Sequence, residues 1–245
     1  MERVMDNTIP TNAHDNNVFD GNSKRPFEKG RNPFDGLRPW SAITHGIGIA
    51  LAVLGSFFLL IKVIPNQDAL RIAGFVIYSI SMILLYLCST LYHSVNTTVN
   101  KRIILRKTDH TAVYFLIAGT YTPLCLTLLQ GPLGYSLLGV IWALAIAGTV
   151  MSFTWINCPR KLTASIYITL GWLAVIALPF LWQTAGPRPV LWCLSGGLLY
   201  TIGGVLYAIK WPGRDNPRFG CHEIFHVFIV LGSIAHFFFV YRCLT

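Results

Sequence analysis

Six residues near the carboxyl end, Cys-His-Glu-Ile-Phe-His at 221–226, put two imidazoles and a carboxylate at the head of an apolar run that reaches Val240. His222 and His226 are four residues apart, so a helix carries them on one face. Ionisable groups at membrane depth are costly and normally face a bundle interior with a task to do. Two imidazoles one turn apart suit a zinc ion, bound through nitrogen at about 2.0–2.1 Å. The same residues fit the His-Glu-x-x-His pattern of zinc proteases, with Glu223 as the base. Such a protease needs a third ligand downstream, and the 19 residues after His226 contain no acid. His236 lies about 15 Å further along a helix axis, too far to reach the same ion.

The rest of the chemistry must come from elsewhere in the chain. A second run ends Cys-Ser-Thr-Leu-Tyr-His, with Ser89 one turn before His93, and a third opens on Asp109 and His110. Of ten acidic residues, only Asp109 and Glu223 fall in apolar stretches. Three neutral imidazoles would leave the fourth position of a zinc ion open, the arrangement of a catalytic site. In that arrangement Asp109 can hold a water and act as general base, while Ser89 can orient a ligand or donate to an oxyanion. Asp109 as a helix cap, and histidines hydrogen-bonded inside a transporter or structural bundle, are the competing readings. His45 stands between site periphery and packing, and His110 is expected to face another helix or the headgroups. Cys221 is expected to be a small buried thiol rather than a ligand.

What must position these residues is a membrane bundle. The 245 residues are 53% hydrophobic and only 12% charged, far too apolar for a soluble domain. Seven stretches, near 40–62, 70–92, 109–129, 134–155, 162–182, 189–209 and 220–241, are each long enough to cross a bilayer as a helix. The fold class expected is therefore an all-α integral membrane protein, a seven-transmembrane helix bundle, preceded by a polar tail over 1–38. Short connections make neighbouring helices antiparallel. With the amino end inside, inner segments hold fifteen of the 19 Lys and Arg, and the outer ones only Lys62, Arg71, Arg188 and Arg242. This bias predicts a cytoplasmic amino terminus and an external carboxyl terminus. His93, Asp109, His222 and His226 then share one depth at the cytoplasmic side, although they are spread over 134 residues of chain.

Several partners and modifications follow, or are excluded. The net charge of +9 suits anionic inner-leaflet headgroups and membrane lipids rather than nucleic acid. The six cysteines show no Cys-x-x-Cys spacing, so no disulfide framework or zinc ribbon is expected. There is no cleavable signal pattern, so the first helix would do the targeting to a cell membrane. Asn96-Thr97-Thr98 is a glycosylation sequon on the predicted cytoplasmic side. Gly196-Gly197 and Gly203-Gly204 form a small-residue face for close helix contact.

Three motifs together, Ser-Thr-Leu-Tyr-His (89–93), Asp-His-Thr-Ala-Val-Tyr-Phe-Leu-Ile-Ala-Gly-Thr-Tyr-Thr-Pro (109–123) and His-Glu-Ile-Phe-His (222–226), resemble the hemolysin III family. That family belongs with the adiponectin and progestin receptor relatives and, more distantly, the alkaline ceramidases. The resemblance covers about residues 40–241. It implies a seven-helix bundle with a cytoplasmic-side zinc, held by His93, His222 and His226. It further implies that Asp109 contacts the metal's water and that Ser89 supports it. Relatives that cleave lipid amides imply hydrolysis of a membrane lipid amide or ester, and a part in membrane homeostasis. A zinc-stabilised receptor or sensor without turnover, or a proton-coupled transporter, are the alternatives. Many members carry a Glu and an Asn before the Thr-His of the first helix; here Arg38 and Ser41 stand near those places.

Overall fold

A computed structural model describes residues 37–66, 68–155, 157–213 and 219–243. Of the expected polar tail over 1–38, residues 1–36 lie outside the described residues. The order is α1 (Pro39–Val63), α2 (Ala69–Ser94), α3 (Val99–Thr127), α4 (Pro132–Thr154), α5 (Arg160–Trp172), α6 (Leu178–Ala185), α7 (Pro187–Ile209) and α8 (Cys221–Cys243). No strand occurs among the described residues. Helix starts follow local chemistry. Pro39, Pro132 and Pro187 open α1, α4 and α7, where a missing N–H costs nothing. Asp68 caps α2 by accepting from the Arg71 amide at 3.1 Å.

Helices α1, α2, α4, α7 and α8 are each long and apolar enough to cross a membrane, and α5 with α6 reaches that length and apolarity only when the bent pair is taken together, as a broken span or a re-entrant loop. The lipid-facing side of α1 is explicit: Ile43, Ile47, Leu51, Leu54, Phe58 and Ile61 recur every three or four residues and are about half exposed. Its other face, Ser41, His45, Gly48, Ala52, Ser56 and Leu59, is buried. Helix α3 sits among α2, α4 and α5 and buries Tyr114, Ala118, Gly119 and Tyr121.

Two elements differ from the sequence expectation. Helix α3 begins at Val99, ten residues early, because Lys101, Arg102, Arg106 and Lys107 are helical rather than loop residues. Arg102 is fully buried and donates to the carbonyls of Tyr92 and Val95, closing the last turn of α2. Asp109 is thus well inside α3, which removes the helix-cap reading. The stretch 162–182 is not one helix: α5 passes into a 3₁₀ turn over Leu173–Ile176 and α6 departs at 45°. Pro179 explains the break, since it cannot donate to the carbonyl one turn back and its ring clashes there. The Tyr121 hydroxyl, reaching across from α3, donates to the carbonyls of Leu170 (3.0 Å) and Gly171 (2.7 Å) at the end of α5.

The expected small-residue face holds α7 against α8. A Cβ on Gly196 would stand 2.3 Å from the His236 ring, and one on Gly203 would stand 2.6 Å from Phe228. Only hydrogen at these positions permits the approach.

Candidate metal centre

The carboxyl end of α2 and the amino end of α8 deliver the three histidines to one point. His222 Nε2 lies 3.2 Å from His93 Nε2 and 3.1 Å from His226 Nε2. His93 and His226 are each only 2% exposed. One nitrogen from each ring falls within 4.8 Å of the others, the one group of this kind among the described residues. Two nitrogens bound tetrahedrally to an ion at 2.0–2.1 Å stand about 3.3 Å apart. The spacing therefore fits a metal, with all three Nε2 atoms turned inward. His226 Nδ1 faces the Ser41 carbonyl at 3.3 Å. Donation to that carbonyl fixes the tautomer and leaves the Nε2 lone pair for an ion.

Glu223 is turned away from this point. Oε1 accepts from Arg38 (3.0 Å) and from the Ser41 hydroxyl (3.2 Å), and Oε2 accepts from the Gly220 amide (2.9 Å). The last contact is half of a capping box, an N3 carboxylate reaching back to the helix start. Oε1 holds α8 to the start of α1 and Oε2 caps α8, so both oxygens are engaged and Glu223 is not placed as a protease base. Arg38 also donates its amide to the His93 carbonyl at 3.0 Å. Arg38 and Ser41 thus tie two of the three histidines through one carboxylate.

Asp109 and Ser89 also meet. The buried Ser89 hydroxyl hydrogen-bonds the Asp109 carboxylate, with the Arg106 cation nearby. Asp109, Ser89, His222 and His226 all line one chamber of about 630 Å³. Along α3 it extends from Arg106 to Leu124, roughly 27 Å at 1.5 Å per residue. Its deeper walls are largely apolar, with Leu116, Leu124, Leu178 and Phe239 among them.

His45 joins the site more closely than its sequence position indicated. Its ring stacks on His226, centroids 3.7 Å apart, and meets Tyr86 edge-on at 5.1 Å. Neither ring nitrogen has a hydrogen-bond partner. The pairing of His45 with His226 joins α1 to α8, 181 residues on, and no spacing rule reaches across that gap. His110 lines the chamber, and its carbonyl accepts from the Tyr167 hydroxyl at 2.9 Å. His236 lies deep in the chamber, stacked on Tyr200, and Cys221 is buried outside the histidine group.

An all-helical membrane chain whose second and last helices converge on three histidines describes a narrow class of protein. Comparison places the chain within it. The family model described as "Haemolysin-III related" matches residues 39–237, and the chain belongs to that family. It is similar to "Hemolysin-3" of Bacillus cereus, 38% identical over 198 residues that cover 81% of this chain and 87% of that protein. "Hemolysin-3 homolog" of Bacillus subtilis is 40% identical over 198 residues, covering 81% and 90%. "Monocyte to macrophage differentiation factor" of Homo sapiens is 26% identical over 208 residues, covering 82% of each chain. The chain is accordingly a multi-pass membrane protein with a buried triple-histidine group able to hold a metal ion.

Proposed function

We propose that the chain is a zinc-dependent hydrolase of membrane lipids, cleaving an amide or ester bond at the cytoplasmic side and so contributing to membrane homeostasis. The observation that carries this reading is the convergence of three Nε2 atoms at metal-ligand spacing, with His222 and His226 on the wall of a long, largely apolar chamber. His93, His222 and His226 supply a nitrogen-only donor set with one position left open, which suits zinc. When bound, the ion would supply Lewis-acid polarisation of a carbonyl and acidify a water. Asp109 accepts the proton of the attacking water, and the Ser89 hydroxyl holds its carboxylate in place. The chamber excludes bulk water and takes the acyl chain. Its length suits a lipid, since the bilayer's hydrocarbon core is about 30 Å thick.

The topology proposed with this function is seven spans, amino end inside. Five spans and one bent one leave α3 as the seventh; Lys101, Arg102, Arg106, Lys107 and Asp109 in its first half lower its apolarity, and its second half is largely buried among the other helices. The basic residues around the histidine end support placing that end at the cytoplasm.

Asp109→Asn is the direct test. It keeps size and a hydrogen-bonding group but removes the base. About one zinc per chain should copurify with wild type and with the variant, while lipid amide or ester turnover falls by roughly 10²–10⁴-fold. Loss of zinc with activity intact would make Asp109 a ligand and not the base. A wild type that holds zinc but turns over no lipid would leave the receptor or sensor reading in its place.

A further inference from the structure

The chamber carries a second polar feature at the histidine end. Arg160 begins α5, Asn157 precedes it, Lys210 follows the last residue of α7, and all three line the chamber. The Arg160 guanidinium lies 4.3 Å from the centre of the Tyr207 ring, and that ring meets His222 edge-on at 5.5 Å. The cation is therefore one aromatic ring away from the metal centre. Arg160 Nη1 and Asn157 Oδ1 are buried without hydrogen-bond partners. Among the described residues the ion pairs are Arg38–Glu223 and Arg71–Asp68, so neither Arg160 nor Lys210 has an acidic partner. The only carboxylate lining the chamber among those residues is Asp109, which already faces Ser89 and Arg106.

Lys210 adds a separate observation. Its backbone is left-handed, φ 61°, ψ 34°, at a helix end where glycine is the ordinary residue. A side chain there carries a steric cost that glycine avoids. The cost keeps a lysine among the residues that line the chamber.

We propose that this end of the chamber binds the phosphate-bearing headgroup of a membrane lipid through Arg160 and Lys210, with the acyl chain running along α3. The inference rests on the lipid reading of the chamber and narrows it to anionic lipids. A phosphate supplies acceptor oxygens for the buried Arg160 N–H and a charge that two unpaired cations balance. Tyr207, seated between Arg160 and His222, sets the spacing between headgroup and cleavage point.

The test uses the full chain in a neutral maltoside detergent, with binding of radiolabelled oleoyl-glycerol phosphate and uncharged oleoyl-glycerol counted at about 0.1 M salt. The phosphate lipid should bind about tenfold tighter or better. Lys210→Gly removes the cation while relaxing the backbone, so that ratio should fall several-fold with thermal stability held or raised. Adding Arg160→Met should bring the ratio to about one. Equal affinities in wild type, or a ratio unchanged in Lys210→Gly, overturns the proposal. So does competition by chain-free glycerol phosphate at the same concentrations as the lipid, which marks a soluble-anion site. Chelation separates the two readings: turnover unaffected by metal removal defeats the zinc hydrolase, while the headgroup ratio stays the measure of Arg160 and Lys210.

Discussion

Replacing Glu223 by Gln separates a clamp from a protease base. In the structure one carboxylate holds Arg38, Ser41 and the Gly220 amide at 2.9–3.2 Å. Glutamine keeps one acceptor, enough for Gly220 or for Ser41, and loses the charge that Arg38 pairs with. Breaking a fully buried pair costs about 3–5 kcal/mol. Here the Arg38 side chain is 24% exposed and that of Glu223 only 4%. The guanidinium can rehydrate, so the loss falls towards that of a hydrogen bond to a charged group, about 1.5–3 kcal/mol. We expect about 2 kcal/mol, read as a lower thermal midpoint in detergent. Because Ser41 also accepts from His226 and Arg38 donates to the His93 carbonyl, zinc affinity should drop about 10–100-fold in a chelator competition. Arg38→Met should cause a similar loss, and the double variant should show a coupling of about 0.5–3 kcal/mol. Unchanged melting and zinc affinity, together with loss of turnover, would refute the clamp and restore Glu223 as a base.

Other outcomes follow from the same contacts. His226→Ala should remove most of the copurifying zinc and lower thermal stability, since metal binding at a buried site contributes to folding; zinc analysis and melting check both. Gly203→Ala should cost about 1–3 kcal/mol by pushing α7 off Phe228, seen as a lower melting midpoint with zinc retained. Reporter fusions after Asn96 and after Thr245 should lie on opposite sides of the membrane, with Asn96 unglycosylated; both on one side would remove the seven-span topology.

The sequence by itself determined the class of protein and which histidines gather at one point. Apolar runs of about 20 residues can only be spanning helices, because lipid offers no partner for backbone N–H and C=O groups. The four-residue step between His222 and His226 fixes them on one face whatever surrounds them, and reversing chain direction brought His93 to the same depth. The tight α7–α8 contact was legible in Gly196 and Gly203 for a similar local reason. Tertiary structure decided what depends on side chains meeting across helices. Charge alone assigned Arg102 to an inner loop, and only packing shows it buried and closing α2. Glu223 fits a catalytic motif in one dimension. Its actual partners, 185 and 182 residues away, stand just before and at the start of α1, and those contacts turn its carboxylate from the histidine group. The placement of Arg160 and Lys210 beside Tyr207 is of the same kind. It arises from where α5 begins and α7 ends in space, which neither segment encodes alone.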